Sequence, residues 1–157
     1  MSSASEQFFG VLAQLTFAIL LASGAVEIAR AFRGHREDGE YLISVRFLSG
    51  LLLLASMAPL IVSDTPSPMR IANFLFLIGS LIAYTHELYA IVVQKRGFQH
   101  PKVSLILFLL TTVAVGVLVA NSIAWESIVV YKALCAWLFL VLVVRFKLAI
   151  GVVLSRG

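Results

Sequence analysis

Residues 103–123 read VSLILFLLTTVAVGVLVANSI, a stretch without a single Asp, Glu, Lys, Arg or His. An α-helix rises about 1.5 Å per residue, so roughly 20 apolar residues cover a hydrocarbon core of about 30 Å. The stretch has that length and offers water no charged edge, which predicts a bilayer-crossing helix.

Working outward, KRGFQHPK (95–102) precedes this run and Ala124–Ser127 follows it as a tight turn with an interfacial Trp125. Upstream, a third run extends from Ile71 to Val93 and contains His86 and Glu87. It is preceded by SDTPSPMR (63–70), whose prolines break helices and whose Asp64 or Thr65 suits a cap. A second run covers Tyr41 to Ser63 with Arg46 near its start, after the charged loop RGHREDGE (33–40). The first run, Phe8 to Phe32, is uncharged until Glu27. Met1 to Gln7 lacks the positive n-region of a signal peptide, so the first run is expected to stay as a membrane helix. A fifth run spans 127–147, with Lys132 snorkelling at its start, Arg145 and Lys147 at its boundary, and an apolar tail to 154. That tail continues the helix or lies along the membrane surface. These five runs predict an all-α polytopic bundle forming one integral membrane domain over 1–157.

Composition agrees. Of 157 residues 61% are hydrophobic and 13% charged, with a mean hydropathy of +1.00. A soluble domain carries roughly a quarter charged residues, and one this small buries only about two-thirds of the surface its unfolded chain exposes. The net charge of +4 comes from basic residues at run ends, not from a stripe with interleaved aromatics, which excludes nucleic acid as a partner. The one cysteine, Cys135, permits no intramolecular disulfide or CxxC pair and reads as a small hydrophobe.

Orientation follows from the twelve Lys/Arg. Arg30, Arg33, Arg36 and Arg46 flank the first loop, Lys95, Arg96 and Lys102 the third, and Arg145, Lys147 and Arg156 the C-terminus. With five crossings these share a side, leaving Arg70 and Lys132 opposite. The positive-inside rule then puts the N-terminus outside and the C-terminus in the cytoplasm of a plasma (inner) membrane protein.

Small residues at four-residue spacing nominate contact faces in lipid: Ala18 with Ala22, Gly79 with Ala83, Gly116 with Ala120. Pro59 is expected to kink the second helix. Polar residues align on three helices: Thr16, Ser23, Glu27 and Arg30; Arg46, Ser49 and Ser56; Asn73, Ser80, Tyr84 and Glu87. Such stripes should face protein or a hydrated space. At about 1.5 Å per residue, Glu27 and Arg46 fall roughly 8 Å inside the cytoplasmic boundary, and His86 and Glu87 roughly 10–13 Å inside it. Arg46 is placed to offset Glu87 or Glu27.

Two readings of that cluster stand side by side. In one, ion pairs and hydrogen bonds lock the first three helices together. In the other, Glu27, Arg46, Tyr84, His86 and Glu87 form an intramembrane site for an ion, proton or small solute, with His86 able to exchange protons near neutral pH. Enzyme chemistry finds no support. His86-Glu87 begins an HExxH motif, but Ala90 stands where the second His belongs. GxSxG, P-loop and GxGxxG motifs are absent. His35 and His100 sit in predicted cytoplasmic loops, which disfavours intramembrane bis-His haem ligation. The sequence therefore points to transport or permeation of an ion, proton or small solute, without metal, cofactor or catalytic residue, as a homo-oligomer in the lipid bilayer. The alternatives are an accessory subunit or assembly factor of a larger membrane complex and, third, a redox (haem/quinone) membrane anchor.

Overall fold

The computed structural model describes residues 3–32, 39–92 and 101–155, without the side chains of residues 30, 39–41, 86–87, 90–92, 101–104, 107 and 152–155. All regular structure among them is helical: α1 (Ser3–Phe32), α2 (Gly39–Ile61), α3 (Pro68–Val92), α4 (Pro101–Ala120), a π-helical turn (Asn121–Trp125) and α5 (Ile128–Ser155). Each of the five segments is long and apolar enough to cross a membrane. α1 begins earlier than its apolar run suggested, and the tail after Lys147 continues α5 through Ser155.

Local chemistry sets the ends. Pro68 and Pro101 open α3 and α4 at the first helical position, where a missing N–H costs nothing and φ is already helical. Thr65 donates its hydroxyl to the Val62 carbonyl (2.7 Å), so it closes α2 and does not cap α3. Ser127 caps α5, its Oγ accepting the Val130 N–H at 3.4 Å. Between α4 and α5 the Glu126 N–H bonds back to the Asn121 carbonyl (2.9 Å) and Glu126 takes left-handed backbone angles, φ 48°. Its carboxylate meets Arg70 Nε at 3.3 Å.

α2 is the central helix. It packs against α1, α3 and α5 and buries Leu42, Val45, Leu52, Ala55 and Ala58. α4 lies at the periphery, with Leu105, Ile106, Leu109 and Val113 directed outward. Gly79 marks a close approach of α3 to α2, since a Cβ there would lie 2.5 Å from Leu51 Cδ1. A Cβ at Gly116 would meet nothing within 4 Å, and Ala18 is exposed. Those two small-residue pairs do not form the contact faces that their spacing suggested, because α4 and that face of α1 turn outward.

Two polar ties hold the end of the bundle that carries the start of α1, α3 and α5. The Tyr131 hydroxyl donates to the Ala55 carbonyl at 2.6 Å, with its ring edge-on to Phe9 of α1 (5.8 Å) and Phe76 of α3 (5.4 Å). Asn121 Nδ2 donates to Asn73 Oδ1 (2.8 Å), and Asn121 Oδ1 accepts the Ser127 N–H (2.9 Å). Both asparagines are fully buried. One amide thus fastens α3 to the π-turn and holds the start of α5.

Candidate functional site

Near the other end, α2, α3, α4 and α5 line a partly open cavity of about 50 Å³, room for ~3–5 water molecules. Most of its wall is apolar, with Leu51, Phe76, Leu118, Leu138 and Val141 among the lining residues. Five lining residues carry polar groups: Ser80 and Tyr84 from α3, Thr111 from α4, Trp137 and Arg145 from α5. Tyr84, Thr111 and Arg145 stand toward the end of the bundle where α3 finishes and α4 begins, while Phe76, Leu118 and Leu134 line the cavity nearer mid-bundle.

Helical register explains the α5 contribution. Leu134, Leu138, Val141 and Arg145 follow one another at three- and four-residue steps and so share a face. Because α5 continues to Ser155, Arg145 lies about three turns inside the helix. Only 5% of its surface is exposed. A guanidinium removed from water requires acceptors or a counter-charge, because desolvation of an ion costs several kcal/mol on the order of a protein's whole stability margin. Trp137, about two turns earlier, has a buried Nε1 with no hydrogen-bond acceptor among the described residues. Tyr84 stacks on Phe108 at 5.2 Å. Its hydroxyl lies 3.2 Å from Thr112 Oγ1, whose own proton goes to the Phe108 carbonyl at 2.9 Å, so Tyr84 is the donor in that pair.

The residues singled out from sequence fall into separate places. Arg46 pairs with Glu27, joining α2 to α1. Both side chains keep about two-fifths of their surface exposed (41% and 42%), and neither lines the cavity. Tyr84 does line it. The His86 and Glu87 side chains lie outside the described residues, as do His35 and His100.

The stripe hydroxyls turn inward but are consumed locally. Thr16, Ser49 and Ser56 are fully buried and donate to the carbonyls of Leu12, Val45 and Leu52 four residues earlier at 2.7–2.8 Å. Ser23 donates to the Leu20 carbonyl three residues earlier at 2.7 Å. They satisfy themselves within α1 and α2 and leave no donors for a solute.

Arg145, Trp137 and Thr111 escaped the sequence reading. A basic residue after an apolar run ordinarily marks a topological boundary, and by sequence Arg145 reads as one. The apolar tail beyond it was the available signal that it lies inside a helix. Asn121, the one carboxamide in the uncharged run, could have been flagged by the same depth argument applied to Glu87. The chain matches no protein-family model, no curated protein and no solved structure.

Proposed function

We propose that the chain is a multi-pass integral protein of the plasma (inner) membrane, N-terminus outside and C-terminus cytoplasmic, that passes an ion, proton or small solute through the α2–α5 cavity. The observation that carries this reading is Arg145, an arginine 5% exposed on the wall of a largely apolar cavity. Ionisable groups at membrane depth are costly and mark solute or proton pathways. The outward apolar face and the skew of basic residues to one side support insertion and orientation. A homo-oligomer would cover the outward face of α4. Position 87 follows Ser80 and Tyr84 at helical spacing, so Glu87 and its neighbour His86 remain the candidate proton-exchanging groups of the pathway.

Flux into liposomes holding the purified protein tests the reading. Ala114→Leu and Ala83→Leu place bulk where two lining alanines now stand, and each should reduce flux at least tenfold while the protein stays folded. Glu87→Gln and His86→Ala report on proton exchange, and unchanged flux in both removes those side chains from the route. No flux above empty liposomes, or unaltered flux in the filled variants, contradicts the proposal.

A second reading, an accessory subunit or assembly factor, is favoured by the Glu27–Arg46 pair, which uses the charges of α1 and α2 to bind those helices to each other. Affinity purification in mild detergent separates the two. A stoichiometric foreign partner favours the accessory role, and a pure homo-oligomer favours transport.

A further inference from the structure

We infer that α4 is the moving wall of the α2–α5 cavity, pivoting at the Asn121–Trp125 π-turn and latched nearer its start by Tyr84; the inference rests on the solute-pathway reading and names how that pathway is opened.

Burial along α4 is uneven. From Leu105 to Val117 no described side chain is buried, and Leu105, Ile106, Leu109 and Val113 each keep more than half of their surface exposed. Leu118, Asn121 and Ser122, by contrast, are buried. The helix is embedded at its end and only leans on the bundle along its length. Beneath that length lies the cavity. Ala114, Val115 and Leu118 line it at helical spacing, together with Ser80 and Ala83 of α3 and Val141 of α5.

The embedded end has the construction of a pivot. The Glu126 N–H reaches back five residues to the Asn121 carbonyl (2.9 Å), and Glu126 takes left-handed backbone angles. Single π-turns are places where helices bend, and they recur at functional sites. Asn121 pins this one to α3 through Asn73 (2.8 Å) and to the start of α5 through the Ser127 N–H (2.9 Å). The Arg70–Glu126 ion pair adds a second tie to α3.

Nearer the start of α4 the hold is lighter. The Tyr84 ring stacks on Phe108 and its hydroxyl donates to Thr112, a contact at the protein surface. Thr111 has a further contact within the chain, so Tyr84 is one part of the hold, and its loss shifts the balance without freeing the helix. Residues 103–123 carry no charge. In hydrocarbon, lipid tails replace apolar neighbours at little cost, because helices associate there through packing and polar contacts. Two positions of α4 then differ chiefly by its packing and its latch, a gap small enough to populate a minor state.

Spin labels measure the motion. In a Cys135→Ala background, Leu21→Cys on the exposed face of α1 is the reference, since α1 packs against α2 and α5. It is paired with Leu109→Cys on α4 or with Ile123→Cys in the π-turn, both exposed. Pulsed electron-spin distances are recorded on the full chain in phosphatidylcholine liposomes, diluted with unlabelled protein. The Leu21–Leu109 pair should show a second distance whose share relative to the first grows about fivefold or more in Tyr84→Ala, for the loss of one hydrogen bond and one ring stack. The Leu21–Ile123 pair should keep one distance throughout. Tyr84→Phe, which keeps the ring and loses the hydroxyl, should give a smaller shift of the same kind and serves where Tyr84→Ala fails to fold.

Access to the cavity gives the second readout. Ala114→Cys on its wall should react with methyl methanethiosulfonate about fivefold faster or more once Tyr84→Ala is added. A single Leu21–Leu109 distance unaltered by either Tyr84 variant, an equal shift in both pairs, or Ala114→Cys reactivity indifferent to Tyr84 overturns the inference. The outcomes also separate this claim from the transport reading. Two α4 positions without flux retain the moving wall and remove the transport role. Flux with one fixed Leu21–Leu109 distance does the reverse.

Discussion

The hydroxyl of Tyr131 donates a 2.6 Å hydrogen bond to the carbonyl of Ala55, the acceptor that Pro59 leaves without its helical N–H. A proline inside a helix removes the bond to the carbonyl four residues earlier. In hydrocarbon no water can substitute, so another protein group must. Tyr131 supplies it from α5, its ring wedged between Phe9 and Phe76, and one side chain thereby joins four helices.

Tyr131→Phe should therefore destabilise the protein by about 1–3 kcal/mol, the cost of stranding a buried acceptor. In a Pro59→Ala background the backbone N–H returns, and the same substitution should cost less than about 1 kcal/mol. Unfolding in mixed detergent micelles measures the cycle. Equal costs in both backgrounds would show that the Tyr131 bond does not replace the proline's missing one.

Asn73 and Asn121 bond across α3 and the π-turn at 2.8 Å. Interhelical hydrogen bonds in membrane proteins contribute about 0.6 kcal/mol on average and up to about 1.7. Because Asn121 also holds the Ser127 N–H, Asn121→Ala should cost more than Asn73→Ala. The double variant should be less than additive, with coupling readable from the same micelle unfolding.

Gly79 stands against Leu51, at 2.5 Å from a β-carbon built there. The contacting atom is the tip of a flexible side chain, so Gly79→Ala should cost less than about 1.5 kcal/mol, while Gly79→Leu should cost about 1–3 kcal/mol through overpacking. Leu51→Ala should recover most of the loss in Gly79→Leu. Gly116→Leu, where nothing lies within 4 Å, should leave monomer stability nearly unchanged and serves as the control.

Arg46 and Glu27 form an ion pair between α2 and α1. Glu27→Gln should lower stability and leave flux intact, because neither residue lines the cavity. Exchanging the two, Glu27→Arg with Arg46→Glu, should restore stability toward the parent. A flux defect in Glu27→Gln at normal stability would place the pair on the solute route.

The helices were legible because each is an apolar run of membrane-crossing length, most of them set off by segments rich in Gly, Pro and charge, and that pattern needs no tertiary information. What joins them was less so. Pro59 announces that the Ala55 carbonyl lacks a donor, but that Tyr131 provides one depends on α5 packing against α2, with two helices between them in sequence. Gly79 and Gly116 carry the same spacing signal, and only the peripheral position of α4 decides that one is a contact and the other is not. Tyr84 was legible from its stripe, whereas Arg145 was read as a flank because a charge two residues from a lysine ordinarily sits at the membrane surface.

The central claim is that five helices cross a bilayer in alternating directions, and single-cysteine labelling tests it most directly. With Cys135→Ala as background, cysteines at Gly34, Ser67, Gly97 and Ser155 are probed with a membrane-impermeant maleimide in intact and permeabilised cells. Ser67→Cys should react in intact cells, and Gly34→Cys, Gly97→Cys and Ser155→Cys only after permeabilisation. Reaction of Gly34→Cys and Gly97→Cys from opposite sides, or of Ser67→Cys and Ser155→Cys from the same side, would contradict the account.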